Sequence, residues 1–84
     1  MNTNEMTTNE IKTYIGYGDT RFSIGDTVKV NTKCGNYPGT VWIVTGHREN
    51  KFGTMINLKC QKGNKYRKVD STVAVFPSYI VKLA

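Results

Sequence analysis

Apolar and polar positions alternate along most of this chain, and helical spacing is never held for three turns. Val28 and Val30 take one side of residues 26–31 while Thr27 and Lys29 take the other, the two-residue period of a half-buried strand. Phe22 and Ile24 share that period just upstream and are expected to point inward, with Asp26 capping a turn at Gly25. Residues 40–45 form the strongest strand in the chain, because every position except Trp42 is β-branched. Trp42 reads as a core anchor. Residues 55–61 alternate again, with Ile56, Leu58 and Cys60 inward and Asn57, Lys59 and Gln61 outward.

Turn chemistry separates these strands. Residues 32–38 (Thr-Lys-Cys-Gly-Asn-Tyr-Pro) read as a loop that displays a tyrosine, and the mostly polar residues 47–54 as a hairpin loop. Lys62-Gly-Asn-Lys65 has the Gly-Asn pair of a tight hairpin turn, which predicts a short return strand over residues 66–69. A strand over 72–76, a 3₁₀ turn at 77–80 and a closing strand at 81–83 complete the pattern. Residues 14–18 (Tyr-Ile-Gly-Tyr-Gly) suit an edge strand or a lead-in. Tyr14, Tyr17, Phe22, Phe76 and Tyr79 are expected in the core or on its rim. Five or six short strands at roughly ten-residue spacing predict an all-β fold, a small barrel or sandwich. Residues 1–13, rich in Asn and Thr and without a period, read as a flexible N-terminal tail, and residues 14–84 as the folded domain.

Eighty-four residues suit one domain with a small core, since a chain this short buries only about 60–65% of its unfolded surface. Charge changes the picture more. Residues 1–28 hold two basic residues against four acidic ones, whereas residues 29–84 hold ten against two, a net +8. Such a body points to a polyanionic partner, either nucleic acid or an acidic protein face. Within it, Arg48, Lys51, Lys59, Lys62, Lys65, Arg67 and Lys68 are opposed by Glu49 alone between residues 47 and 68. Lysine and arginine in that density can follow a phosphate backbone without reading bases. They can equally form a solvated face that keeps an edge strand from pairing with another molecule. Lys33 lies in the 32–38 loop, and Tyr37, Phe52 and Tyr66 lie in or beside loops. Aromatic rings among cations can stack on unpaired bases, each worth about 1–3 kcal/mol, or pack down on the rim. The candidate nucleic-acid contacts are therefore Lys33, Tyr37, Arg48, Lys51, Lys59, Lys62, Lys65, Tyr66, Arg67 and Lys68.

Catalytic chemistry finds no footing. His47 is the only histidine, with no Ser, Cys or carboxylate at a catalytic spacing, so a non-enzymatic protein is expected. Gly35, Gly39 and Gly63 read as turn glycines, and none opens the loop-to-helix passage that cradles phosphate in nucleotide enzymes. Cys34 and Cys60 lack the further ligands of a zinc site, and no cofactor is expected. Reduced thiols, the absence of a signal sequence and of any apolar run of about 20 residues predict a cytoplasmic protein without a membrane span.

Two stretches resemble a known family. Phe22-Ser-Ile-Gly-Asp-Thr-Val-Lys-Val30 is similar to the opening strand of Src-homology-3-like barrels, and Gly35-Asn-Tyr-Pro-Gly39-Thr-Val41 to the KOW pattern of transcription-elongation factors and ribosomal proteins. Phe76-Pro-Ser-Tyr-Ile-Val-Lys-Leu83 is similar to the end of peptide-binding Src-homology-3 domains, where a 3₁₀ turn leads into the last strand. The resemblance covers roughly residues 14–83. It implies a small five- to six-stranded Src-homology-3-like barrel of KOW type, and the charge makes nucleic acid, DNA or RNA, its expected ligand. It lacks the acidic loop and paired tryptophans with which the peptide-binding branch grips Pro-rich ligands. The short single-domain format and Asn/Thr-rich start are also similar to small bacteriophage accessory proteins. That likeness implies an alternative role, docking on an acidic surface of a host protein or nucleoprotein complex in the host cytoplasm.

Overall fold

The β-branched and alternating segments all become strands in a computed structural model, which describes residues 13–32 and 35–83. In chain order these are β1 (Thr13–Ile15), β2 (Arg21–Ser23), β3 (Thr27–Val30), β4 (Val41–Asn50), β5 (Gly53–Lys62), β6 (Thr72–Val75) and β7 (Ile80–Lys82). Two 3₁₀ turns, at Tyr17–Asp19 and Pro77–Tyr79, precede β2 and β7. The fold is all-β. Strands β6-β5-β4-β3-β7 form one antiparallel sheet and β1-β2 a separate two-stranded ribbon. The larger sheet is open, with β6 and β7 at its edges. Cys34, Lys33 and the predicted tail up to residue 12 lie outside the described residues, while Thr13 already belongs to β1.

The core follows the two-residue period. Val28 and Val30 from β3, Trp42 and Val44 from β4, and Ile56, Leu58 and Cys60 from β5 are all buried on one face of the sheet. Val75 and Ile80 join them from the edge strands. The β1-β2 ribbon adds Tyr14 and Phe22, which pair across the ribbon and stack with ring centroids 5.4 Å apart. It lies against β7 and the second 3₁₀ turn, and Gly16 makes the approach possible: a methyl group there would collide with the Ile80 carbonyl. Phe22 and Trp42 are the largest fully buried side chains, each expected to bury roughly 150–250 Å².

Three expectations are corrected. Residues 66–69 are not a strand: the partner of β5 is β6, in the register Ile56↔Val75 to Lys59↔Thr72, and residues 63–71 are a loop folded back on itself. The polar stretch 47–54 is not a loop but the far half of the β4-β5 hairpin, closed by Lys51 and Phe52 between the Asn50↔Gly53 pair. Ile24 is exposed rather than inward, because the chain turns there: the Asp26 carboxylate accepts from the Ser23 backbone N–H at 2.8 Å and lifts Ile24 out of the alternation. Asp26 thus caps the turn as expected. Tyr17, Phe76 and Tyr79 lie on the rim, all at least one-third exposed.

A bulge in β4 decides which way the hairpin's polar half faces. Val44 pairs with Leu58, but the next pair is Gly46↔Asn57, so Thr45 is the extra residue. Beyond it the parity is reversed. His47 now sits across from buried Ile56, on the core side, and Arg48 sits across from Met55 on the outer side. Glu49 follows His47 to the inner side and accepts from the Thr54 hydroxyl at 2.9 Å and 3.0 Å.

Candidate nucleic-acid interface

Asn64 organises the loop that leaves β5. Its side-chain oxygen accepts from the backbone N–H groups of Tyr66 and Arg67, both at 2.8 Å, which curls the chain into an Asx turn. Its amide nitrogen donates to the carbonyls of Asn36 and Pro38, both at 2.9 Å. One side chain therefore fastens loop 63–71 to loop 35–40. Gly63 permits the curl, since a methyl group there would collide with the Arg67 carbonyl. The loop's far end is tied down by Asp70 N–H to the Cys60 carbonyl at 2.9 Å and Cys60 N–H to the Ser71 carbonyl at 2.8 Å.

Arg67 reinforces the same junction. Its Nε donates to the Gly35 carbonyl at 2.9 Å, and its guanidinium lies over the Tyr37 ring, 4.4 Å from the centroid. Tyr37 in turn meets Trp42 edge-on at 5.8 Å and packs against the core. Beneath it, buried Thr40 donates its hydroxyl to the Tyr37 carbonyl and accepts from the Trp42 indole N–H at 2.7 Å. Of the residues predicted to touch nucleic acid, Tyr37 and Arg67 are thus engaged in holding two loops together.

The fastened loop presents the rest of its charge outward. Lys62, Lys65, Tyr66 and Lys68 are exposed, with Tyr66 61% accessible and the Lys65 ammonium 5.2 Å from its ring. Lys59 stands on the outer face of β5 nearby, paired with Asp70 at 3.7 Å. Asp70 is the one acid between residues 50 and 84. Arg48 and Lys51 are not part of this cluster. They lie at the hairpin tip, beside Phe52, which is 72% exposed with the Lys51 ammonium 5.3 Å from its ring. Ten residues of β5 put about 30 Å between tip and base. Lys33 falls outside the described residues. The structure therefore divides the predicted set into a basal group (Lys59, Lys62, Lys65, Tyr66, Lys68), a distal group (Arg48, Lys51) and a structural pair (Tyr37, Arg67).

Sequence reasoning missed Asn64 and Gly63 as the residues that position the basal group. The Gly-Asn pair predicts a hairpin turn, and the reach of the Asn64 side chain to Asn36 and Pro38 makes it a clasp between loops instead. The titratable core groups are chemically quiet. Burial pushes the Cys60 thiol up, with Arg67 pulling it down and Asp70 adding to the rise. Burial, helped by Glu49, likewise raises the Tyr14 phenol, whose oxygen is 2.6 Å from His47 Nδ1. Among the described residues no three His, Cys, Asp or Glu side chains gather as metal ligands, and no helix is long and apolar enough to cross a membrane.

No family model matches the chain, and no curated protein or solved structure matches it either.

Proposed function

We propose that this protein is a small non-enzymatic module that binds nucleic acid through phosphate contacts with little sequence preference. The observation that carries the reading is a pinned loop that exposes Lys65, Tyr66 and Lys68 directly after Lys62 at the end of β5, with Asp70 as its only acid. Cations on a fixed loop lose less conformational freedom on binding than cations on a mobile one. The strand order supports the Src-homology-3-like, KOW-type resemblance: a four-strand meander is followed by a 3₁₀ turn and a last strand that returns beside the meander's first.

Substituting Lys62, Lys65 and Lys68 together with Glu tests it. Wild-type protein should bind DNA or RNA with an affinity that falls steeply between about 50 mM and about 200 mM salt. The triple variant should fold, by its thermal melt, and not bind. Unchanged retention by the variant would remove the reading.

A second reading is a module that docks on a host protein, its cations meeting an acidic surface, and one observation favours a protein contact. A mostly apolar cleft of about 300 Å³ lies between Thr32, Tyr37, Met55 and the Phe76–Tyr79 corner. Capture from bacterial lysate with and without nuclease separates the two, because a partner that survives nuclease supports docking on protein.

A further inference from the structure

The two cation groups lie toward opposite ends of one β-hairpin, and the bulge at Thr45 puts Arg48 on the side that carries Lys59. Because of it, Arg48 faces outward with Met55, and the strict alternation of β5 carries that face on through Asn57 to Lys59. Glu49, the acid nearest the tip, is turned to the opposite face and occupied by Thr54. Beyond Lys59 a second irregularity, in which Trp42 pairs with Cys60 but Val41 with Lys62, returns Lys62 to the side away from Trp42, and exposed Lys65 and Lys68 follow in the adjoining loop. The hairpin is thus a rod with cations at its tip and toward its base, about 30 Å from end to end.

A duplex presents the same backbone to one side once per helical turn, about 34–36 Å or ~10–10.5 base pairs apart. Lysine and arginine side chains are long enough to close the small difference between that repeat and the rod. Resting on the nucleic-acid reading above, we propose that the preferred ligand is double-stranded and that the hairpin lies along it, its base and its tip contacting phosphates one turn apart. The binding site then has a minimum length of about one helical turn. A flexible single strand has no such repeat, and it can satisfy the basal group without reaching the tip.

The test is a length series followed by fluorescence anisotropy on the intact protein. It uses DNA duplexes of about 8 and about 20 base pairs, shorter and longer than one turn, and a single strand of about 20 nucleotides. On the long duplex the slope of log affinity against log salt should be steeper than on the short one by about 1.8, two further phosphates at about 0.9 each. Replacing Arg48 and Lys51 together by Ala should return the long-duplex slope to the short-duplex value, whereas replacing Lys62, Lys65 and Lys68 together by Glu should abolish binding at both lengths. Equal slopes at both lengths, or a long-duplex slope that survives the double substitution, would overturn the one-turn arrangement while leaving the basal site standing. A single strand bound as tightly as the long duplex would overturn the preference for duplex. Failure of every oligonucleotide to bind would overturn the nucleic-acid reading itself and this inference with it.

Discussion

Arg67 covers the face of Tyr37 while donating to the Gly35 carbonyl, so a charge that looks free in the sequence closes the junction between two loops. Guanidinium suits the position because its plane can lie on the ring while its edge donates to the carbonyl, and an ammonium cannot do both at once. The Arg67→Lys variant keeps the charge and loses the stack and the edge-on bond. It should be less stable by about 1 kcal/mol, a fall in Tm of roughly 4–8 °C for a domain of this size. Its affinity for nucleic acid should change little. A melt identical to wild type would show that the junction is held by Asn64 alone.

Thr40 occupies a buried place where one hydroxyl serves two groups. In Thr40→Val the Trp42 indole N–H loses its acceptor inside the core, at a cost of about 1–3 kcal/mol. The Tyr37 carbonyl retains the Thr40 backbone N–H at 3.0 Å, so it is not left bare. Thr40→Ser keeps the oxygen and gives up only a methyl group, about 0.8 kcal/mol. Urea unfolding should therefore rank wild type above Ser and Ser above Val. If Val equals or exceeds Ser, the hydroxyl is not what holds the indole.

The contrast between these residues and the strands shows what the chain discloses on its face. Trp42, Val44, Ile56, Leu58 and Cys60 announce their burial through a two-residue period that the backbone must obey. The far half of the hairpin gives no such signal. It is paired on hydrogen bonds with little core beneath it, and polar residues in a ribbon look like polar residues in a loop. The return strand at 66–69 failed for a different reason. Asn64 satisfies the backbone N–H groups of Tyr66 and Arg67 with its own oxygen, which removes donors a ladder would need. Which lysines belong together was equally hidden, because contacts such as Asn64 to Pro38 join residues 26 apart in sequence.

Alkali should weaken the fold. The Cys60 thiol and the Tyr14 phenol are both raised above their ordinary values, 9.0 and 10.0, chiefly by burial. The folded protein therefore keeps two protons that the unfolded chain gives up, and the unfolded state gains as pH rises. The stabilisation is present below the thiol's ordinary 9.0 and declines as pH rises past it, first through the thiol and then the phenol. Urea midpoints at about pH 7 and about pH 10.5 should show a clear fall. A Tyr14→Phe/Cys60→Ala variant should start lower, having lost packing and the bond to His47, yet decline less over the same range. An equally steep decline would assign the alkaline loss to other groups.

Asp70 restrains the basal cations, and removing its charge should strengthen binding. Its carboxylate lies 3.7 Å from the Lys59 ammonium, and both side chains are more than half exposed, so the pair contributes only about 0.2–1 kcal/mol to stability. Its backbone has φ 73°, in the left-handed region that asparagine tolerates well, which makes Asn the replacement that leaves the turn intact. Asp70→Asn both frees Lys59 and removes a repulsion of about 0.4 kcal/mol for a phosphate ~10 Å away in water. Affinity for duplex DNA at low salt should rise about two- to five-fold, with Tm nearly unchanged. The gain should shrink toward physiological salt, where the screening length falls to about 8 Å. An unaltered affinity, in a protein whose binding the Lys62/Lys65/Lys68 substitutions abolish, would move the phosphates away from Lys59 toward the outer end of the loop.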